Sequence, residues 1–348
     1  MKTKILAAVA ATGAVLAATS ALAVSPYGNG TQKGSLLIFP KINVQAGVDT
    51  LIQITNDYSG PVNLKCYYQT SEPVVYTRKH KTDFTVQLTK NQTIWWYASG
   101  GNFSTPAAEA KAQTVPNFSP MADGYVATAG ELKCWATNPP GTAEIHFNHL
   151  VGTATVFAGN DAFTYNAYHF QAVAPSNASE NTNNVLPSPG VLNLDNVEYD
   201  SCSKQAVGNI WSTQQAFPGR GSAQVDLVQC NQDLRETYTP PVTKYVFEFW
   251  NENENKFTGT EVCGDSWIEV DLWSLQEARY TNLKTTAAYF RVSGVGQICP
   301  TAKDGGVMGV LTQRLSNNGA LTGSTLNGRG SFNGKILYDV SGGNEVKQ

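Results

Sequence analysis

One short pattern, Leu-Lys-Cys followed by an aromatic residue, is written twice in this chain, as Leu64-Lys65-Cys66-Tyr67 and as Leu132-Lys133-Cys134-Trp135. Side chains alternate between the two faces of a strand, so Leu64 and Cys66 share one face and Lys65 takes the other; Leu132, Cys134 and Lys133 repeat the arrangement. Each cysteine thus stands beside a leucine, facing a core. The economical reading joins two strands of one β-module, distant in sequence, through a Cys66–Cys134 disulfide. Closing so long a loop restricts the unfolded chain by roughly 4 kcal/mol in the chain-entropy account.

The cysteines number six, at 66, 134, 202, 230, 263 and 299. In an oxidising compartment an even set reads as disulfides, although six thiols admit many pairings. In the second half the simplest local pairs are Cys202 with Cys230 and Cys263 with Cys299. No C-x-x-C spacing occurs, which removes zinc knuckles, thioredoxin-like pairs and c-type haem attachment. The oxidising compartment is read from the first residues. Lys2 and Lys4 precede an apolar run, Ile5 to Ala18, and Ala21-Leu22-Ala23 has the small-x-small pattern of a cleavage site, so residues 1–23 are expected to be a signal peptide. The run is shorter than the roughly 20 residues a membrane helix needs, and no stop-transfer pattern follows, so no membrane span is expected after cleavage. The expected location is the periplasm, the outer surface or the extracellular space.

The remaining length exceeds what one core usually serves, so two domains are expected, residues 24–174 and 191–348. Between them, residues 175–190 have hardly any apolar content and read as a linker. The fold class is all-β, with two tandem β-sandwich-like modules stabilised by disulfides. Strands are expected at Ser35–Phe39, Thr50–Thr55, Val62–Gln69, Asp83–Leu88, Thr93–Ala98, Glu131–Thr137, Glu144–Phe147, Gly152–Phe157 and Phe163–Phe170, with one short helix inside Pro106–Gln113. In the second half they are expected at Ser222–Val228, Lys244–Trp250, Ser266–Trp273, Ala287–Gly294, Gly306–Gln313 and Lys335–Asp339. The stretch N-E-N-E-N-K-F-T-G from Asn251 reads as an exposed connection, and Gly319 to Gly334 as a mobile glycine-rich loop. An outer-membrane barrel fits less well, because such barrels use evenly spaced strands of about ten residues with apolar outward faces.

Charge excludes further classes. With 24 Lys and Arg against 27 Asp and Glu the net charge is −3, and no basic block exists to neutralise phosphates, so nucleic acid is not an expected partner. A basic amphipathic helix for a membrane surface is missing as well.

Several residues carry possible chemistry. His146, His149 and His169 fall close together in sequence and, with Asp161, form a candidate zinc or copper set; the plain alternative is histidines hydrogen-bonded to backbone. The acidic stretch Asn251 to Asn255 and the segment Asp195 to Asp200 offer oxygen ligands for Ca2+, but without the EF-hand register, and no other cofactor is indicated. Glu269 and Asp271 share a strand face as a glycosidase pair could, although a solvated sheet face opposite Ile268, Val270 and Leu272 accounts for them better. No G-x-S-x-G, H-E-x-x-H or phosphate-loop motif occurs. The consecutive Trp95, Trp96 and Tyr97 must point at least one ring away from a core, which makes them a candidate platform for a sugar or a protein partner.

Longer motifs add a resemblance. Gly34 to Ile42, Asp49 to Asp57, the two Leu-Lys-Cys strands, Phe147 to Leu150, Thr243 to Gly259 and Tyr289 to Val295 resemble exported β-rich proteins of metal-respiring Gram-negative bacteria. The resemblance implies an envelope or extracellular home and brings no catalytic residue with it. The expected function is therefore a non-enzymatic exported protein that binds or assembles, with cell-envelope proteins, glycans or copies of itself as partners. Exposed sheet edges would serve as contacts, and Val24 to Lys33 as a mobile donor arm. Carbohydrate binding or processing and periplasmic metal binding are the alternatives.

Overall fold

The computed structural model describes residues 28, 30–72, 79–100, 115–139, 141–173, 192–194, 196, 198–211, 222–230, 242–285, 287–295, 306–314 and 321–331. Branched and aromatic residues in alternation make strands of more than half of them. The first nine are β1 (Leu36–Asn43), β2 (Val48–Asn56), β3 (Val62–Ser71), β4 (Lys79–Leu88), β5 (Thr93–Tyr97), β6 (Ala129–Thr137), β7 (Leu150–Ala158), β8 (Asp161–Asn166) and β9 (Tyr168–Phe170). The next nine are β10 (Ser203–Trp211), β11 (Ser222–Gln229), β12 (Val242–Trp250), β13 (Lys256–Asp265), β14 (Trp267–Asp271), β15 (Ala287–Val295), β16 (Val307–Arg314), β17 (Leu321–Thr325) and β18 (Asn327–Ser331). The one α-helix among the described residues is Tyr280–Leu283, and none is long and apolar enough to cross a membrane.

All strand pairs are antiparallel and form four open sheets. The first domain has a large sheet ordered β4-β3-β6-β1-β9 and a small one ordered β5-β2-β7-β8. The second has a large sheet ordered β13-β12-β15-β10-β18 and a small one ordered β14-β11-β16-β17. Adding nine to each strand number of the first domain reproduces the second, so one sandwich topology is built twice.

Alternation then sets the layers. Leu37 and Phe39 of β1 point into the first sandwich with Ile52, Ile54, Leu64, Val86 and Trp96. Leu36 and Ile38 point the opposite way, and with Trp135, Tyr168 and Phe170 they pack on Val228, Trp267 and Met308 of the second domain's small sheet. The other side of that small sheet, Val225, Leu227, Val270 and Leu311, meets Tyr245, Phe247, Phe249 and Phe290 of the large sheet. The molecule is thus a stack of four sheets in the order small, large, small, large. Polar bonds key the central contact: Trp267 Nε1 donates to the Pro40 carbonyl (2.8 Å), and Tyr168 Oη donates to the Leu326 carbonyl (2.8 Å) while accepting from the Gly309 N–H (3.0 Å). Lys41 Nζ meets Asp226 Oδ2 at 2.7 Å, with both side chains buried.

The Cys66–Cys134 bridge is present, and its residues are direct partners on the neighbouring strands β3 and β6 of one sheet. Cys202 is bonded to Cys230. Cys263 is disulfide-bonded too, and Cys299 lies outside the described residues. So do the expected signal peptide, the expected linker, the expected helix within Pro106–Gln113 and the expected strand Lys335–Asp339.

Several expectations need correction. Glu144–Phe147 is not a strand but makes one isolated bridge, Thr137 to Glu144, and the expected strand from Phe163 divides into β8 and β9. β10 and β13 were not anticipated, and Asn251–Asn255 turns straight back into β13. The glycine-rich segment supplies β17 and β18, whose small residues let strands approach closely; a Cβ on Gly323 would come within 2.1 Å of the Phe163 ring. The described part of Val24 to Lys33 is no free arm: the Gly28 N–H donates to the Ser201 carbonyl, Gln32 to His169 and Asp200, and Lys33 pairs with Asp57.

Replacing Cys66 and Cys134 together by Ala should lower unfolding free energy by up to about 4 kcal/mol, because the bridge spans 68 residues of sequence. Equilibrium urea unfolding of the oxidised parent and the double variant measures the difference; the slope should change with it, since the unfolded chain expands.

Candidate functional site

The first domain's small sheet turns one side to the core and one to solvent. On the core side stand Ile52, Ile54, Ile94, Trp96, Ala154 and Val156. On the solvent side the pairing places Trp95, Gln53, Thr153 and Asn166 in one row across β5, β2, β7 and β8, and Tyr97, Leu51, Thr155 and Thr164 in the next. Hydroxyl pairs tie the strands together, Thr55 to Thr93 at 2.9 Å and Thr155 to Thr164 at 2.8 Å. Tyr97 is 39 % exposed and lies between Trp95 (ring centroids 6.0 Å) and Phe157 (6.2 Å). Asp49, which bonds Ser99, brings the one carboxylate of this face, a row beyond Tyr97 and beside Phe157. The face is therefore ring-bearing and uncharged across its middle.

Among the described residues no strand pairs with the other edge of its outer strand. The Ala98 N–H donates to Thr50 and the Asn56 N–H to Gln92, which fixes the ladder phase: Gln92, Ile94, Trp96 and Ala98 bond β2, so Thr93, Trp95 and Tyr97 turn their backbone groups to that edge, where the Tyr97 carbonyl accepts the Gly100 N–H (3.2 Å). Natural edge strands are blunted by charge or proline. β4 carries Lys79, Lys81 and Asp83, and β13 carries Lys256 and Glu261, whereas β5 reads Thr-Ile-Trp-Trp-Tyr.

The aromatic triplet is thus divided. Trp95 and Tyr97 belong to the surface, but Trp96 is fully buried and donates from Nε1 to Tyr68 Oη at 2.6 Å, so it leaves the candidate platform. Burial pushes the Tyr68 hydroxyl well above its ordinary value, against the pull of that bond. Phe157 and Leu51 join the face unannounced; the period-two run Thr153, Thr155, Phe157 was the signal for them, legible once β7 was known to have a solvent side.

The histidines are not brought together. His146 is buried and bonds the Asn148 amide (3.1 Å), His149 lies against the Tyr58 ring (4.7 Å), and buried His169 accepts the Gly152 N–H at Nε2 (2.9 Å). Asp161 forms an ion pair with Arg314 of the second domain at 2.6 Å. Among the described residues no group of three or more His, Cys, Asp or Glu side chains is placed to hold a metal ion. As for the Ca2+ segments, Asn251 Oδ1 accepts the N–H groups of Asn253 and Asn255, which makes it a cap of its own turn, and Asp195 lies outside the described residues. Asp271 caps the turn at Trp273, and Glu269 lies 3.6 Å from Lys41.

A second concavity, of about 380 Å³, lies where the domains meet and is lined by Glu72, Tyr125, Asp265, Trp267 and Glu269 among others. Its wall is braced by His80, which reaches Asp123 through Nδ1 (2.6 Å) and Glu72 through Nε2 (3.0 Å) and stacks on Tyr125 at 3.8 Å. The cleft is acidic, and burial raises the Asp265 carboxyl, against the pull of Lys79. It combines residues far apart in sequence and so had no local signal.

Neither the protein-family models nor the curated proteins compared with the chain match it.

Two outcomes follow. Trp96→Ala should cost about 3–5 kcal/mol of stability by opening a cavity, and Trp95→Ala only about 1 kcal/mol, as urea melts of the two variants will show. Burial raises the Asp200 carboxyl from 3.8 to about 6, against the N–H of Gln171 and the amide of Gln32. The folded state then holds this proton more tightly, so its contribution is fully present below about 3.8 and lost as pH rises to about 6, a change of about 3 kcal/mol. Asp200→Asn should remove that part of the pH dependence from a series of urea melts.

Proposed function

We propose that this is a non-enzymatic exported protein of the cell envelope or extracellular space that works by binding a protein partner through the uncharged face and open edge of its first small sheet. The observation that carries the reading is the edge strand β5, whose outward side chains are rings and hydroxyls and whose outer edge, paired with no strand among the described residues, is not guarded by charge or proline. Interface centres are depleted in charge and enriched in Trp and Tyr, and an unpaired strand accepts another strand by backbone bonding. The 85° angle between the Trp95 and Tyr97 rings favours a shaped protein surface over a flat polysaccharide, which stacks best on coplanar rings. Disulfides support a home outside the reducing cytoplasm, as does the resemblance to exported β-rich proteins.

Photo-cross-linking tests this in cells that make the protein. A benzophenone side chain at position 97 should capture a partner in the envelope or extracellular fraction, and the same group at exposed Thr142 should not. Protein confined to the cytoplasm, or equal capture at both positions, would remove the proposal.

A further inference from the structure

The four-sheet stack has two ends. One is the outer face of the first small sheet, described above. The other is the outer face of the last large sheet, where Glu248 and Trp250 of β12 stand beside Tyr289 and Arg291 of β15. No element of the first domain packs on that second face among the described residues.

The contact at the centre of the stack joins these same two kinds of surface. There the outer face of a small sheet, through Asp226, Val228, Trp267 and Met308, covers the outer face of a large sheet, through Ile38, Lys41, Trp135 and Tyr168. Because the two domains share one topology, each end of the stack is the topological counterpart of one half of a contact already made within the chain. The last large sheet corresponds to the covered one, and the first small sheet to the covering one.

We propose that copies of this chain stack head to tail, the first small sheet of one copy covering the last large sheet of the next, so that the inter-domain contact is repeated between molecules. This rests on the reading above that the small-sheet face is a contact surface, and it names the partner as a second copy.

Two features of the two ends fit one another. The first is shape: at the tail a groove of about 540 Å³, at the strand ends, is lined by Asn209, Ile210, Trp250, Glu252, Tyr289 and Gln313 among others, a hollow of the size that takes one or two aromatic rings, while the head presents Trp95 and Tyr97. The second is charge. Glu248 at the centre of the tail is neutralised by Arg291 and by Lys256, so the uncharged head meets a balanced patch there, with exposed Glu252 at the groove's rim. The covered large sheet of the first domain is built the same way, with Lys133 and Glu131 buried as a pair at 3.1 Å. Beside the central contact, the edge strand β8 of the head sheet lies along β17 of the same chain, linked by Arg314 to Asp161 and by Thr325 to the Asn166 carbonyl. A head-to-tail contact of unlike faces has no two-fold axis, so it does not close on itself as a dimer and continues as a filament or ring.

The purified, oxidised mature protein tests this by sedimentation velocity across a concentration series and by negative-stain microscopy. A head variant carries Trp95→Asp and Tyr97→Asp, and a tail variant carries Trp250→Asp and Tyr289→Asp. The parent should form concentration-dependent species beyond a dimer, and each variant alone should be monomeric. An equimolar mixture should form only a heterodimer, because one intact head and one intact tail remain. Benzophenone at position 97 of the parent should cross-link to peptides from residues 242–250 or 287–295 of another copy, a readout that does not depend on the variants folding. A parent that stays monomeric at all concentrations overturns the proposal. So does a tail variant, folded by circular dichroism, that still dimerises, since that points to edge pairing between two heads. In the first case capture of a different envelope protein at position 97 would leave the binding function standing, so the two failures are told apart.

Discussion

Every residue of β1 is buried, and that burial on both sides is what the rest of the molecule depends on. A sandwich strand ordinarily gives one face to the core and one to water. Here the second face, Leu36 and Ile38, is a floor for the neighbouring domain, so removing that domain would expose a contiguous apolar surface. The two sandwiches are therefore one body in the folded state. The same burial forces Lys41 out of water. Burial alone would lower its pKa, but Asp226 and Glu269 outweigh that and hold the ammonium above its ordinary value. Burial in turn pushes the Asp226 carboxyl up to about 7 against the pull of Lys41. The direction that holds is a retained charge on Lys41, because two carboxylates face one ammonium. A pair of this kind adds little net stability, but breaking it strands a charge, so it fixes how the domains register.

Buried acids recur along the seam. Asp200, Asp226, Asp265 and Glu131 all have carboxyl groups raised by burial, and all lie at or near the place where the domains meet. Each binds its proton more tightly folded than unfolded, so each favours the folded state more at mildly acid pH than at neutrality. The seam is thus the part of the molecule most sensitive to acidity, while the three apolar cores do not respond to it.

Much of this was legible from alternation. Leu64, Cys66, Leu132 and Cys134 were placed facing a core, and they are; the pairing of Cys66 with Cys134 followed from the repeated pattern around them. The repeated lysine was less informative. Lys65 lies near solvent with Asp83, but Lys133, expected on an outward face, is 1 % exposed, because that face is covered by another domain. A period of two tells which residues share a side and is silent about what covers it. Trp96 follows the same logic in reverse: three consecutive aromatics announced a surface ring without saying which. β13 was missed because its side chains, with Lys256, Thr258 and Glu261, are polar on an edge strand, and β17 and β18 because their glycines read as loop. The duplication left no trace at the level of motifs. The bridge from β3 to β6 has no counterpart between β12 and β15, where Phe247 faces Val292 and Phe249 faces Phe290. Apolar packing there fills the place of a covalent link, so two sequences with little in common reach one topology.

Edges complete the argument about how such a molecule meets others. A four-sheet stack of open sheets carries several unpaired strands, and each invites pairing with a stranger. β8 and β17 shelter each other across the domain boundary, β14 lies against the first domain, and β4 and β13 carry charges that resist a neighbouring strand. The Gln32 amide donates to the His169 carbonyl, so the start of the described chain covers part of β9. Six of the eight edge strands are thus guarded, by three different means. β5 departs from them with a five-residue strand of rings, Ile and Thr, and a sequence that guards most of its edges is under pressure to guard this one as well unless contact there is its use.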